Sequence, residues 1–253
     1  MKLFFKILLA LLIYIFFLVA YVPANWLVSI APIPNNIKLS GVSGTLWQGQ
    51  AALVSIDRRQ LDQVNWTLNP WGIFVGQAQV DVTIGSRATP VNGKGSLTAT
   101  MSGIKVQNLR FEAPSQFLLA GNRLPFKTEI QGELSVIIEQ FDQGLPWCEQ
   151  LSGKLFVNDV DVTNQFGAYP LGNMALNMSC VDGQVKLTAN EQDNRLGLMG
   201  TVLLTQNSSV KVAAKIKPTD TQPADLTQAL QFLGQQDSQG YYPLNYQGRI
   251  PGI

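Results

Sequence analysis

The sequence predicts an all-β protein with one apolar helix near its start. Two observations carry this prediction: apolar and polar residues alternate over most of the chain after residue 26, and Gly-containing turns separate the alternating runs. Alternation with a period of two is typical of antiparallel strands that bury one face. Residues 80–84 and 185–189 alternate in this way. Asn92-Gly93 and Asp182-Gly183 are the residue pairs that tight hairpin turns prefer.

The composition excludes several classes of function. The 253 residues include no His and carry a formal net charge of +1. Without imidazole the chain cannot form a Ser-His-Asp triad or a His-ligated metal site, and a neutral chain lacks the positive charge that binds nucleic acid. We therefore expect no enzyme, no cofactor, no metal and no nucleic-acid partner, and we expect no small-molecule ligand.

The N-terminal segment predicts a membrane anchor. Residues 3–22 are apolar except for Lys6, and Lys2 and Lys6 lie at the end that the positive-inside rule places in the cytoplasm. Tyr21 and Trp26 stand where an outer aromatic belt would lie. This interpretation leaves residues 1–2 as a cytoplasmic tip and exports residues 25–253. A cleavable signal peptide that ends near residue 24 is the alternative.

The exported part contains an internal similarity. Short Gly-containing segments recur in order at offsets of 109, 107 and 105, which indicates two related β-units at about 38–125 and 148–217. The alternative is chance matching within a Gly-punctuated β protein. Residues 223–253 would then add an amphipathic helix at 226–233, followed by a hairpin near 242–250 that covers an end or an open edge of the sheet.

A few side chains stand out as candidates. Cys148 and Cys180 are the two cysteines, and an even count outside the cytosol favours a disulfide over two buried thiols. Asp159 and Asp161 would share one face of a strand, where solvated carboxylates are the simpler interpretation than a cation site. The tryptophans at positions 47, 66 and 71 are expected to be core residues rather than a stacking surface.

Several short motifs carry a resemblance to a known family. They occur in order along essentially the whole chain, at residues 39–51, 66–70, 148–153, 230–237 and 240–248. Among them are Ser43-Gly44-Thr45-Leu46-Trp47-Gln48-Gly49 and Gly240-Tyr241-Tyr242-Pro243-Leu244. In this pattern the chain resembles the type II secretion system protein N family, also called general secretion pathway protein N.

The resemblance implies a location, a function and partners. It implies a single-pass inner-membrane protein with a cytoplasmic N-terminus and a periplasmic β domain, which serves protein secretion as a non-enzymatic accessory or assembly subunit. The partners would be other type II secretion subunits, and the lipid bilayer through the anchor. Trp47 and Tyr242 are the candidate interaction sites because they lie near the two ends of the exported part. A more distant similarity to AsmA-like proteins suggests a curved, open sheet and an alternative function as a periplasmic lipid- or hydrophobe-binding groove protein.

Overall fold

The structure is a computed structural model that describes residues 2–30, 33–120, 127–165, 167–206 and 209–249. Met1 of the expected cytoplasmic tip and Ile250 of the expected hairpin lie outside these ranges. Within them, the chain folds into one antiparallel sheet of thirteen strands, whose spatial order is the sequence order. The alternating sequence produces this sheet because each strand presents its apolar positions to the same face as its neighbours do.

The longest strands lie near the middle of the sheet. Their bounds are β1 Ile37–Gly44, β2 Gln48–Ile56, β3 Arg59–Asn69, β4 Ala78–Ile84, β5 Asn92–Thr100, β6 Gly103–Pro114, β7 Glu129–Gln143, β8 Cys148–Asn164, β9 Gly167–Val181, β10 Gln184–Asn194, β11 Leu198–Thr205, β12 Ser209–Ile216 and β13 Tyr242–Arg249. Each strand pairs antiparallel with the next. The predicted mainly antiparallel β architecture is confirmed.

The antiparallel order sorts the turns into two groups. Turns that follow odd-numbered strands lie at one end of the sheet, which we call the odd-turn end. Turns that follow even-numbered strands lie at the opposite end, the even-turn end. Every second turn therefore lies at the same end, about 10 Å from the previous one, because neighbouring strands are about 4.8 Å apart.

In the part of the chain that the structure describes, five helices accompany the sheet: α1 Lys2–Ala20, α2 Ala24–Ile30, α3 Pro70–Ile73, α4 Ser115–Leu119 and α5 Ala224–Leu230. The last two lie at the even-turn end. A 3-10 turn at Gln231–Leu233 continues α5, so the helix expected at 226–233 is present as two pieces. Leu230 of α5 is 2% exposed and packs with Leu196 and Ile216 in a small core cluster.

The expected membrane anchor is wrong. Within the described ranges, no helix is both long enough and apolar enough to cross a bilayer. Lys6 interrupts the apolar run within α1, and the part of that run that follows it, residues 7–20, rises only roughly 20 Å against the ~30 Å of bilayer hydrocarbon. The single-pass inner-membrane location, with residues 3–22 as anchor and residues 25–253 periplasmic, is therefore not supported.

The C-terminal segment also differs from the expectation. Residues 242–249 form a single strand, β13, which pairs with β12 along its full length, from Tyr242 opposite Ile216 to Arg249 opposite Ser209. A long connection that contains α5 precedes it, so β13 extends the sheet by one strand instead of forming a hairpin of its own. The similarity between the two proposed units stays a prediction; their strands belong to one uninterrupted sheet.

The expected disulfide is confirmed. Cys148 and Cys180 are bonded with a Cα–Cα distance of 6.1 Å. The bond joins the first residue of β8 to the end of β9, and Cys148 is almost completely buried. It therefore fastens two neighbouring strands at the odd-turn end.

Candidate functional site: the open face and ends of the sheet

One face of the C-terminal half of the sheet carries an apolar cavity of about 180 Å³. Strands β7 to β12 supply its lining, and all eight lining side chains are apolar: Val136, Leu155, Met178, Val185, Leu187, Val202, Leu204 and Val210. Each of them is half-buried. The cavity is therefore a depression in an open sheet, able to accept aliphatic surface but offering no side-chain hydrogen bond.

Strand register explains why these side chains share a face. Leu187 lies opposite Met178 on one side and Val202 on the other, and directly paired residues project to the same face. Leu204 lies opposite both Val185 and Val210. The alternation visible in the sequence thus becomes a continuous apolar surface across six strands.

The turn between β7 and β8 folds over the odd-turn end beside this surface. The Trp147 indole Nε1 donates to the Thr205 carbonyl at 2.9 Å, and its backbone N–H donates to the Gly183 carbonyl at 3.0 Å. The turn therefore reaches past β9 and β10 to the end of β11. This contact and the disulfide together fix the odd-turn end of the C-terminal half.

At the even-turn end a charged cluster holds the segment that leads into β13. The Lys217 ammonium donates a hydrogen bond to Glu191 and lowers the pKa of that carboxyl, while the same bond raises the pKa of Lys217. The Tyr241 hydroxyl donates to Glu191 at 2.6 Å, which raises the pKa of Tyr241. Lys215 lies 4.2 Å from the centre of the Tyr241 ring. Every charge here has a partner within the protein, so the cluster serves as a clamp.

Asp237 completes that clamp. Its carboxylate accepts the backbone N–H of Tyr241 at 2.9 Å and that of Gln239 at 2.9 Å, and the first of these bonds lowers the pKa of Asp237. Lys215 approaches the same carboxylate at 3.9 Å. The loop before β13 is thereby fastened to β12.

The two candidate interaction residues lie at opposite ends of the sheet. Trp47 follows β1 at the odd-turn end, and its Nε1 donates to the Val19 carbonyl of α1 at 2.9 Å. Tyr242 begins β13 at the even-turn end, where it packs against the core cluster around Leu230. Both side chains are half-buried. The structure does not bring them together, but each lies beside an outermost strand.

The four residues assigned to the expected anchor lie in or beside α1 and α2. Lys2 begins α1 and Lys6 lies within it, while Tyr21 follows its last residue. Trp26 lies in α2, and Tyr21 and Trp26 are exposed. The backbone N–H of Leu46 donates to the Val22 carbonyl at 3.0 Å, so the chain leaving α1 is held at the odd-turn end.

The paired carboxylates lie in a surface groove of the sheet. Asp159 lies at a register shift in β8 with a φ of 48°, and its backbone N–H donates to the Asn173 side chain at 2.8 Å. In the described part of the chain, no group of three or more acidic or cysteine residues could hold a metal ion. Asp159 and Asp161 line this polar groove beside Arg195.

The core assignment of one tryptophan is wrong, and it points to residues that the sequence analysis missed. Trp66 and Trp47 are half-buried with their indole nitrogens bonded, but Trp71 is 76% exposed. Among the described residues that follow α2, eleven large apolar side chains are exposed, and eight of them lie at the odd-turn end: Trp71, Ile73, Phe74, Val75, Met101, Ile104, Leu145 and Val181. The signal was a run of mostly apolar residues between Pro70 and Gly76 that does not alternate with polar residues.

The structure defines a class of protein built on a single open antiparallel sheet, with an apolar depression on one face and an outer strand on each side. Comparison with known proteins identifies the family. Residues 35–245 match the family model described as Type II secretion system (T2SS), protein N. The chain belongs to this family.

The sequences of known relatives align with nearly the whole length of this chain. The chain is 34% identical over 240 residues to the type II secretion system protein N of Aeromonas hydrophila, covering 94% of each chain. It is 30% identical over 233 residues to that of Vibrio cholerae, covering 92% of each. The corresponding protein of Pectobacterium carotovorum is 21% identical over 239 residues. No solved structure matches the chain.

Proposed function

We propose that this protein is a non-enzymatic accessory or assembly subunit of type II secretion that acts through protein contacts at the edges of its sheet. Family membership supports the secretion role. The observation that supports edge contacts is the strand order: among the described residues, β1 pairs with β2 alone and β13 pairs with β12 alone. An unpaired strand edge presents a row of backbone donors and acceptors that another strand can complete.

Charge supports the same mode of contact. The chain has a formal net charge of +1, so long-range attraction to a charged partner is weak. Backbone pairing and apolar burial remain as sources of affinity, and salt hardly screens either of them. The proposed complexes should therefore persist at raised ionic strength.

Site-specific photo-crosslinking in cells tests the proposal. Crosslinkers at Ser40 in β1 and Tyr246 in β13, and at the neighbouring Trp47 and Tyr242, should capture an identified type II secretion subunit. A crosslinker at Lys94, an exposed position of β5, which is paired on both sides, is the matched control and should capture much less. Equal capture at all positions, or capture of phospholipid alone, would contradict protein contact through the edges.

A second candidate function is the binding of a hydrophobe on the open face. The cavity lined by eight apolar side chains favours it. Covering these side chains with an aliphatic chain removes apolar surface from water, which lowers the free energy. Its lining lacks a polar side chain, which suits an aliphatic chain better than a ligand with many hydrogen-bonding groups.

Binding of a fluorescent fatty acid to the intact protein tests this second function. Leu204→Glu places a charge in the cavity and should weaken binding at least tenfold. Leu203→Glu is the matched control: Leu203 is paired with Lys186 and Lys211 and projects to the opposite face. Equal affinities of the two variants would show that the probe does not use the cavity.

A further inference from the structure

We propose that the odd-turn end of the sheet rests on the surface of a lipid bilayer, with its uncharged turn tips in contact with the lipid. The contact is made by separate turns of the β domain and does not depend on a membrane-spanning helix. It goes beyond the proposed function, which concerns partners at the strand edges.

The first observation is the exposure of the side chains at these tips. Trp71 and Phe74 in the turn after β3 are 76% and 82% exposed, and their ring centroids lie 6.0 Å apart. Met101 after β5 is 100% exposed, and Leu145 after β7 is 94% exposed. Exposed apolar side chains that are concentrated at one end of a protein mark a surface that another molecule covers.

The second observation is the distribution of charge. In the described parts of the turns at the odd-turn end, Asp182 is the one charged residue. At the even-turn end, five of the six turns carry charged side chains in their described parts, among them Arg58, Arg87, Arg195 and Lys217; the exception is the turn after β8. The two ends of one sheet thus differ in polarity, as expected when one end faces water and the other faces a nonpolar surface.

The third observation favours lipid over a protein partner. The exposed side chains stand on successive turns roughly 10 Å apart, so they form a row of separate tips about 20 Å long from the turn after β3 to the turn after β7. A fluid bilayer accommodates separate tips, whereas a protein partner usually covers one contiguous, closely packed patch. Trp at such a tip also suits the interface between headgroups and acyl chains.

The position of α1 adds to this argument. Bonds from Leu46 to Val22 and from Trp47 to Val19 hold the end of α1 at the odd-turn end. The described side chains of α1 are exposed along most of its length and are apolar except for Lys6. A second uncovered apolar surface therefore adjoins the row of tips.

The charge pattern also specifies the lipid. Because these tips carry no Lys or Arg in the described turns, attraction to anionic headgroups cannot supply the binding. The contact should form on vesicles of pure phosphatidylcholine. Adding anionic lipid should not change it appreciably. Raising the salt to about 0.5 M, on the order of several times physiological ionic strength, should not change it either.

Spin labels on the full-length chain in phosphatidylcholine vesicles provide the test. The described cysteines are both in the disulfide, so one introduced cysteine is labelled selectively. Labels at Phe74→Cys and Met101→Cys should be more accessible to oxygen than to a water-soluble nickel complex. Labels at Arg87→Cys and Leu118→Cys should stay aqueous; Leu118 is the matched control because it is exposed and apolar but lies at the even-turn end.

Two outcomes would overturn the proposal. Labels at 74 and 101 that are as accessible to nickel as the label at 87 would show that the tips stay in water. If the labels at 74 and 101 become inaccessible to nickel only after another secretion subunit is added, the tips belong to a protein interface. As an independent check, Trp71→Asp should move the label at 101 toward water, while Arg87→Asp should leave it in place. The spin-label results are independent of the crosslinking test at the strand edges, so this proposal and the proposed function can fail separately.

Discussion

The indole nitrogen of Trp147 lies 2.9 Å from the carbonyl oxygen of Thr205 and donates a hydrogen bond to it. Trp147 precedes β8, whereas Thr205 ends β11. In a flat sheet these two strands would be about 14 Å apart, because neighbouring strands are separated by roughly 4.8 Å. One side chain spans the gap since the sheet curls and the turn before β8 folds across it. The curvature of the C-terminal half is thus fastened by a side chain.

Removing this bond should destabilise the protein modestly. Trp147→Phe keeps an aromatic ring but loses the donor, which leaves the Thr205 carbonyl without that bond and should cost about 1 kcal/mol of unfolding free energy. Urea unfolding followed by far-ultraviolet circular dichroism measures the change. Trp71→Phe, at an exposed position, is the control and should shift stability by less than about 0.5 kcal/mol. Equal effects of the two exchanges would contradict a role for the bond.

The disulfide should contribute more. It closes a loop with a sequence separation of 32 residues, for which loop entropy predicts about 3–4 kcal/mol of stabilisation. The double variant Cys148→Ala with Cys180→Ala should lose this amount in chemical unfolding. A reducing agent should destabilise the wild type and leave the double variant unchanged; a reductant effect on both would point to another cause.

The core cluster under α5 gives a prediction about packing. Leu230→Ala should cost about 2–4 kcal/mol, because Leu230 is 2% exposed and its truncation leaves a cavity beside Leu196 and Ile216. Leu233→Ala removes the same atoms from a side chain that is 40% exposed and should cost less than about 1 kcal/mol. Thermal unfolding separates the two, and similar costs would show that α5 is not held by this cluster.

The clamp before β13 predicts a pH dependence of stability. The bond from Lys217 lowers the pKa of Glu191, so the native state binds this proton less readily than the unfolded state. The stabilisation is therefore fully present above the ordinary glutamate pKa, and it is lost as the pH falls through the lower native value. At high pH the raised pKa values of Lys217 and Tyr241 act in the opposite direction, and stability is lost as these groups deprotonate.

Removing the charge of Glu191 tests whether stability falls with pH in the expected direction. Glu191→Gln should destabilise the protein at pH 7, and its difference from wild type should shrink at pH 3, which lies below the ordinary pKa that the glutamate has in the unfolded state. Glu149→Gln removes the same charge at an exposed position of β8 and serves as the control. Chemical denaturation at both pH values provides the comparison. A Glu191→Gln effect that is as large at pH 3 as at pH 7 would exclude titration of the clamp.

Local sequence patterns determined much of this protein. Alternation predicted antiparallel strands, the even cysteine count predicted the bond between Cys148 and Cys180, and ordered short motifs predicted the family. These properties depend on neighbouring residues, on chemical identity or on motif order, all of which a sequence displays directly. Alternation also determined that Leu187 and Val185 share a face.

Only the tertiary structure decided what covers each surface. Trp66 and Trp71 are both large aromatics near the same turn, yet Trp66 is half-buried with its nitrogen bonded to Leu46 and Trp71 is exposed. Alternation defines two faces of a strand but does not state whether another layer covers either of them. That depends on how thirteen strands curl and where each turn emerges, which are set by contacts between distant residues such as Trp147 and Thr205.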